Sequence, residues 1–404
     1  MTILSSRLIG NAGTQGGGVY AGQDVALLAL SSTFASNSAA DGGGLQCEEC
    51  QAVAARALTF FNNTARSGGG ASLVGCAGGA TFNGSRFLNN TAFDNGGGAR
   101  HVECSLEGGG GLCVVTGPGN VTLRACSLGG NAAGNGGGLF ARHDCEFAEG
   151  EPCGRVLLTG GTAFEGNVAR SGGGGALHWK DATGLAVRCS PSAAVYADGQ
   201  GNSTGVPLGC ASWQGNRATQ GGYGDVSATG AHALGLESPA AVFNYSSDTP
   251  IPALLTIEDY YGQVVSGGLP EATTLIRVET ADAAQLEGQT SLPTVRGRAE
   301  FTGLTMKARQ GSYTLRFLAD DLALDAMPVT VSVRRCARGE VRNEEGDKCT
   351  TCGYNTFSFN PDNHTCDECP RHAQCPDLTA GNILIPDDGY WHSHPNSPQV
   401  GVTL

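Results

Sequence analysis

The chain has few aromatic and few basic residues, and it has no long apolar run. Its 404 residues include 3 Trp, 9 Tyr and 14 Phe against 64 Gly, a composition that does not suggest a large aromatic-rich enzyme core. Lys and Arg number 24 and the formal net charge is −13, which argues against nucleic acid or an anionic membrane surface as a partner. No apolar run reaches the roughly 18–20 residues that cross a bilayer. The start, "MTILSSRLIGN", lacks leader features, and we expect the chain to be part of a longer polypeptide, with a membrane link in a later C-terminal segment.

Cysteines and glycosylation acceptor sites indicate the compartment. The chain has 16 Cys, an even number, together with seven N-x-Ser/Thr acceptor sites, each weak by itself. Together they favour an oxidising, extracellular or cell-surface setting, with a cytosolic location as the alternative. The acceptor sites are Asn62, Asn83, Asn89, Asn120, Asn202, Asn244 and Asn363.

A phrase made of Asn, a small residue and a glycine run recurs seven times. It reads "NTARSGGGA" at Asn63, "NTAFDNGGGA" at Asn90 and "NVARSGGGGA" at Asn167. The repeated Asn residues are 26, 26 and 27 residues apart and then 41, 36 and 49 apart, which indicates one structural unit with later insertions. The repeated residues are Asn11, Asn37, Asn63, Asn90, Asn131, Asn167 and Asn216.

Each repeat predicts one coil of a right-handed parallel β-helix over residues 1–236. A large apolar residue stands three positions before each repeated Asn, as Phe60 does before Asn63, and the intervening segments are short and strand-like. Coils stacked at the strand spacing of about 4.8 Å would align these residues into an aromatic column and an amide ladder. The glycine run would supply bends with positive φ beside the neighbouring coil.

Cysteine positions support this register. Cys50, Cys76 and Cys104 each lie eight residues after the first glycine of a run, at Gly42, Gly68 and Gly96. Stacking predicts that neighbours in this column reach the Cα separation of a disulfide, about 4.4–6.8 Å. Further candidate disulfide cysteines are Cys145, Cys153, Cys189 and Cys210, while the connectivity of Cys47, Cys50, Cys76, Cys104, Cys113 and Cys126 stays open.

Two further domains are predicted after the repeats. Residues 237–335 contain alternating strands such as "GSYTLRFLA", as in an Ig-like β-sandwich. Residues 336–376 are cysteine-rich, and residues 377–404 form a linker. The spacing favours Cys336–Cys349, Cys352–Cys366 and Cys369–Cys375 disulfides, but six cysteines allow 15 pairings, including a crossed one with Cys352–Cys369. Two C-x-x-C pairs also match a zinc-ribbon outline, the less favoured alternative in an oxidising compartment.

The quoted phrases resemble known families. The F-x-x-N phrases at Phe34, Phe60, Phe87 and Phe164, followed by G-G-A or G-G-L, resemble the repeats of chlamydial polymorphic membrane proteins, which implies a β-helical surface adhesin. "CTTCGYNTFSFNPDNHTCDECP" resembles the cysteine-rich repeats of ephrin-receptor and tumour-necrosis-factor-receptor ectodomains. The order of the three regions resembles the multidomain ectodomains of large green-algal surface proteins.

The sequence predicts a non-enzymatic scaffold or adhesin that binds protein or glycan ligands, without cofactor, metal or catalytic residues. Its ligands would bind the insertions Cys104–Cys126, Cys145–Cys153 and Cys189–Cys210, because loops vary while coils are fixed. The alternative is a carbohydrate-active β-helix enzyme, which needs paired carboxylates, and we interpret His178–Trp179 as a surface pair rather than a sugar subsite. The acids and neighbours weighed for catalysis or calcium are Asp181, Asp198, Asp225 and the run Arg142, His143, Asp144.

Overall fold

In the computed structural model the chain is built of β-strands and turns, and the described residues contain no α-helix. The described residues are 1–93, 109–143, 154–180, 187–189, 211–220, 222–267, 272–280, 283–376, 381–394 and 397–402. They form two compact units. The first contains residues 1–235, 256–274 and 295–298, and the second contains residues 236–255, 275–294 and 299–404.

Three seven-stranded parallel sheets and one short ladder build the first unit. Sheet 1 contains Thr2–Leu4, Ala26–Leu30, Ala52–Arg56, Ala80–Asn83, Val121–Arg124, Val156–Thr159 and Val187–Cys189. Sheet 2 contains Arg7–Ile9, Thr33–Ala35, Thr59–Phe61, Arg86–Leu88, Ser127–Gly129, Thr162–Glu165 and Ala211–Gln214. Sheet 3 contains Val19–Ala21, Leu45–Glu48, Ala71–Val74, Leu112–Thr116, Leu139–His143, Leu177–Lys180 and Ser227–Thr229. The short ladder contains Thr64–Ala65, Thr91–Ala92, Ala132–Ala133, Val168–Ala169 and Arg217–Ala218.

Each repeat contributes one strand to each sheet, so consecutive repeats form the coils of what we call the stack, Thr2–Thr229. Equivalent residues pair in register, as Phe34 does with Phe60 and Phe60 with Phe87. Buried residues alternate with exposed ones, as Leu27 and Ala29 do with the exposed Leu28, and the buried residues fill the interior because successive side chains point to opposite faces of a strand. The predicted all-β architecture with stacked parallel strands is confirmed.

The glycine run makes the corner before sheet 3 in two different ways. Gly68 has a positive φ of 62°, the left-handed conformation that glycine adopts without steric cost. The next two glycines are needed because the backbone of the neighbouring coil leaves no space for a side chain. A Cβ on Gly69 would lie 2.5 Å from the Thr91 carbonyl oxygen, and one on Gly70 would lie 2.4 Å from that of Gly111. The prediction of positive φ therefore applies to the first glycine of the run, while the other two allow the next coil to approach.

The fourth coil corrects the predicted cysteine column. Ala71 pairs with Leu112, which aligns Gly68 with Gly109 and not with Gly96. The position equivalent to Cys76 is therefore Gly117, and the assignment of Cys104 to this column is wrong. The physical reason is an insertion between the ladder strand and the sheet 3 strand of this coil: Ala92 and Leu112 are 20 residues apart, whereas Ala65 and Ala71 of the preceding coil are 6 apart. Cys104 itself lies outside the described residues.

The second unit contains a five-stranded sheet and several strand pairs. Three of the four pairings between neighbouring strands are antiparallel, and Ala241–Tyr245 runs parallel to Met327–Val333. The rings of Phe301 and Phe317 pack with centroids 5.3 Å apart. The sheet contains Ala241–Tyr245, Met327–Val333, Gly311–Ala319, Leu275–Thr280 and Ser291–Pro293. A separate antiparallel pair contains Gln285–Gly288 and Leu304–Lys307. The chain also forms a three-stranded sheet, which contains Ala231–Leu236, Ala253–Asp259 and Arg298–Phe301. The C-terminal pairs are Glu340–Arg342 with Cys349–Thr351, Thr356–Phe357 with Asp367–Glu368, Ala373–Gln374 with Ile385–Pro386, and Tyr390–His392 with Val400–Val402.

Candidate functional site

The seven repeated asparagines lie in one column along the stack. The Nδ2 of Asn37 donates a hydrogen bond to Oδ1 of Asn63 at 3.0 Å, and Nδ2 of Asn63 donates to Oδ1 of Asn90 at 3.0 Å. The same Nδ2-to-Oδ1 bond joins all four remaining pairs of consecutive Asn residues, at distances from 2.8 to 3.1 Å. All members except Asn11 are buried.

The ladder uses the hydrogen-bonding capacity of each interior amide. Asn63 also donates from Nδ2 to the carbonyl oxygen of Phe34 at 2.9 Å, and its Oδ1 accepts a second bond, from the backbone N–H of Asn37 at 3.0 Å. A buried amide without partners would cost about 1–3 kcal/mol. The side-chain amides of the five interior Asn residues are therefore fully engaged by the stack itself and have no hydrogen-bonding group left for a ligand.

The apolar column fills the space beside the ladder. Phe34, Phe60 and Phe87 are fully buried, and their stacked rings have centroids 4.8 and 4.7 Å apart. Phe164 stacks on Trp213 at 4.6 Å. Such contacts add about 0.5–1.5 kcal/mol per pair beyond the buried area, so the column stabilises coil-to-coil packing.

The residue before each repeated Asn takes a left-handed conformation, which the sequence analysis missed. Its φ is 52° at Asn62 and 54° at Asn89, and four copies have Gly there. Asn and Gly are the residues that tolerate this conformation best, so the Gly-or-Asn preference was the available signal. The residues at this corner are Gly10, Ser36, Asn62, Asn89, Gly130, Gly166 and Gly215.

The glycosylation acceptors occupy different environments. Asn62, Asn89, Asn120 and Asn244 are exposed, whereas Asn83 and Asn363 are half-buried, and Asn202 lies outside the described residues. Asn62 and Asn89 follow the paired residues Phe61 and Leu88, so these two acceptors are neighbours on adjacent coils. Their glycosylation stays a prediction.

His178 and Trp179 are not the surface pair that the sequence suggested. Their exposed fractions are 3% and 0%. Trp179 points into the stack, and its ring meets that of Tyr261 edge-on at 5.4 Å, while His178 on the opposite face stacks on Phe140 at 5.4 Å. The interpretation fails because both faces of sheet 3 are buried here, as Phe140 also shows with 0% exposure.

Two acids of the stack, Asp225 and Asp41, are held in structural contacts. Asp225 is exposed, and its Oδ1 accepts a bond from the backbone N–H of Ala218 at 2.9 Å. Asp41 is buried and paired with Arg66 at 3.1 Å. The pKa of Asp41 is raised above its ordinary value, mainly because the side chain is buried; the Arg66 guanidinium opposes this rise and the Glu48 carboxylate adds to it. Of the other candidates, Arg142 is half-buried on sheet 3, and Asp144, Asp181 and Asp198 lie outside the described residues.

Asp259 holds a buried polar contact at the last coil, which the repeat pattern did not indicate. Its oxygens accept bonds from the backbone N–H groups of Thr229, Tyr261 and Gln263 and from the Gln263 side chain, at 2.9 to 3.1 Å. Burial raises the pKa of Asp259 to about 6, and the four hydrogen bonds oppose that rise. Since Thr229 ends the last strand of sheet 3, Asp259 satisfies backbone groups at the end of the stack.

The C-terminal cysteines form three bonded pairs. Cys336 is bonded to Cys349, Cys352 to Cys366 and Cys369 to Cys375, with Cα separations of 5.4, 5.7 and 5.9 Å. Cys352 therefore pairs with Cys366 and not with Cys369, as the crossed pattern would require. Of the other candidate cysteines, Cys145, Cys153 and Cys210 lie outside the described residues, and Cys189 ends a strand of sheet 1.

One proposed ligand-binding insertion is largely regular structure. Within the range Cys104–Cys126, residues 109–126 supply the strands Leu112–Thr116 and Val121–Arg124. The prediction of a variable loop over the whole range is therefore wrong, because an extra glycine run, Gly108–Gly111, starts the sheet 3 strand there. Residues 144–153 and 190–210 of the other two insertions lie outside the described residues.

Comparison of the chain with protein-family models, with curated proteins and with solved structures finds no match. Among the described residues, no helix is long and apolar enough to cross a membrane.

Proposed function

We propose that the chain is a non-enzymatic extracellular scaffold, an adhesin-like ectodomain of a larger surface protein. The observation that carries this proposal is that the repeated residues have structural roles in the stack. The Asn side chains form hydrogen bonds between coils, the Phe rings pack on one another, and the Gly residues leave space for the next coil. A stack of similar coils has long, regular surfaces that can make several weak contacts with a ligand at once. Such contacts gain avidity from multivalency.

The finer architecture is part of the proposal. We take the stack as a right-handed parallel β-helix with repeats of the polymorphic membrane protein type, the mainly antiparallel second region as an Ig-like spacer and residues 336–376 as a receptor-type cysteine-rich module. The three bonded cysteine pairs support an oxidising compartment. The partners would be proteins or glycans at a surface, and a membrane link would lie in another segment of the full-length protein.

Secretion and multivalent binding test the proposal together. The chain would be expressed through a eukaryotic secretory route, and the glycan load would be measured by the mass lost on enzymatic deglycosylation. The secreted chain would then be coated densely on beads. We expect the coated beads to bind a surface protein or glycan ligand more tightly than the free monomer does. Equal, weak binding by beads and monomer, or retention of unglycosylated protein in the cytosol, would contradict the scaffold proposal.

A further inference from the structure

A cluster of three cysteines lies inside the stack between its second and third coils. Cys47, Cys50 and Cys76 are all buried in the apolar core, and their Sγ atoms lie within 4.8 Å of one another. Cys47 is bonded to Cys50, and Cys76 is a free thiol. Three sulfurs can form only one disulfide among themselves, so one thiol is always left over.

The free thiol can reach either bonded sulfur. The Sγ of Cys76 lies 2.9 Å from that of Cys50 and 3.2 Å from that of Cys47. Cys50 and Cys76 also occupy equivalent places in consecutive coils, 26 residues apart, and the N–H of Ala77 donates to the carbonyl oxygen of Cys50. Equivalent residues of neighbouring coils are about 4.8 Å apart, which lies in the range of Cα separations that a disulfide spans. Cys50 therefore has two partners of suitable geometry.

We propose that Cys47, Cys50 and Cys76 form an internal disulfide-exchange site, in which Cys50 is shared between a bond within its own coil and a bond to the next coil. In the exchange the Cys76 sulfur, as thiolate, attacks Sγ of Cys50. The Cys50–Cys76 bond forms as the Cys47–Cys50 bond breaks, and the Cys47 sulfur leaves with the electron pair and takes up a proton. The oxidation state of the cluster is unchanged, so no oxidant or reductant is required.

The two bonds differ in what they hold together. The Cys47–Cys50 bond spans a sequence separation of 3, whereas the Cys50–Cys76 bond closes a whole coil and joins it to the next. A longer closed loop restricts the unfolded chain more strongly, so the bond between coils stabilises the stack more. Burial raises the pKa of the Cys76 thiol to about 12, so little thiolate forms at neutral pH and the partition is established mainly as the coils close during folding.

Peptide mapping of the intact oxidised chain tests the proposal. The protein would be denatured in acid, which stops exchange, its free thiols alkylated, and the chain cleaved after Glu48 or Glu49 so that Cys47 and Cys50 fall on different peptides. We expect both linkages, Cys47–Cys50 with alkylated Cys76 and Cys50–Cys76 with alkylated Cys47. Alkylation of a single one of these cysteines would overturn the proposal. So would three free thiols in the isolated chain, and a soft metal ion bound to them would assign the cluster as a metal site instead.

Two single variants isolate the two bonds. Cys47→Ser permits the bond between coils, and Cys76→Ser permits the bond within the coil, while each removes one buried sulfur. We expect a Cys50–Cys76 peptide and the higher Tm in Cys47→Ser. A reduced Cys50 in that variant, or the reverse order of Tm, would contradict the proposal. Cys126→Ser is the matched control, because Cys126 is another buried free cysteine whose Sγ contacts the carbonyl oxygens of Phe82 and Arg124, and it should leave the ratio of linkages unchanged.

Discussion

The stack and the cysteine-rich segment are held together by different means. In the stack, one residue type is placed again and again above itself, so that Asn63 and Phe60 each contact a copy of themselves in the next coil. In residues 336–376 the strands are two or three residues long and three disulfides close the loops. The comparison shows that repetition can build a core from very few residue types, whereas a short non-repeating segment relies on covalent links.

Removing one ring from the aromatic column should have the largest effect on the stack. Phe60 is fully buried between Phe34 and Phe87, so Phe60→Ala should lower the free energy of unfolding by about 3–5 kcal/mol. The control is Phe61→Ala in the same strand, because that side chain is 38% exposed. Equal losses in chemical denaturation of the two variants would show that the column does not hold the coils.

Removing one disulfide should affect the cysteine-rich segment and spare the stack. The Cys352–Cys366 bond joins residues 14 apart, and a loop of this size contributes roughly 3 kcal/mol in the chain-entropy description. The double variant Cys352→Ser with Cys366→Ser should therefore expose residues 336–376 to proteolysis while the unfolding transition of the stack is unchanged. Free thiols and one zinc per chain in the unmodified protein would contradict the disulfide assignment and the extracellular proposal with it.

Breaking the amide ladder should cost somewhat less. Asn63→Leu removes the acceptor for Asn37 and the donor to Asn90, and we expect a loss of about 1–3 kcal/mol in the free energy of unfolding. Asn62→Gly is the neighbouring control, because Asn62 is exposed with φ near 52° and glycine occupies that corner in other coils. A thermal unfolding curve for Asn63→Leu that matches the control would refute the role of the ladder.

Asp259 should give the stack a small pH dependence of unusual sign. Because burial raises its folded pKa to about 6 from 3.8, the folded state binds more protons than the unfolded state between these values. This contribution to stability is present at low pH and is lost as pH rises through 6, by about 1 kcal/mol between pH 5 and pH 7. The free energy of unfolding would be measured at pH 5 and pH 7. In Asp259→Asn, the difference between the two values should be smaller by about 1 kcal/mol. An increment of the opposite sign would show that its hydrogen bonds outweigh burial.

The smallest expected signal is enzymatic. Polygalacturonate and alginate incubated with the secreted chain should release no more product than a heat-inactivated sample, because Asp41 is paired with Arg66 and Asp225 accepts a backbone hydrogen bond. Reproducible product release that is lost in Asp225→Asn or Asp181→Asn would favour the carbohydrate-active alternative over the scaffold.

Sequence patterns were reliable where the repeat had its basic length. Asn37 and Asn63, or Phe34 and Phe60, are 26 residues apart, and the structure pairs them directly. The patterns failed after insertions: glycine runs begin at both Gly96 and Gly108, and the strand register aligns Gly109 of the second run with Gly68. Local sequence cannot distinguish two such runs, because the choice depends on pairing with the preceding coil.

The sequence by itself determined the coil period, the order of the strands and the residues that stack, because a constant strand spacing gives equivalent residues the same surroundings in each coil. Tertiary structure alone decided three other features. It placed His178 and Trp179 in buried positions on opposite faces of one strand, brought Asp259 to the end of the last coil, and turned the Cys47 sulfur toward Cys76, the neighbour of Cys50 that the repeat spacing predicted. These features depend on what packs against a residue from elsewhere in the chain, and a local pattern carries no information about that.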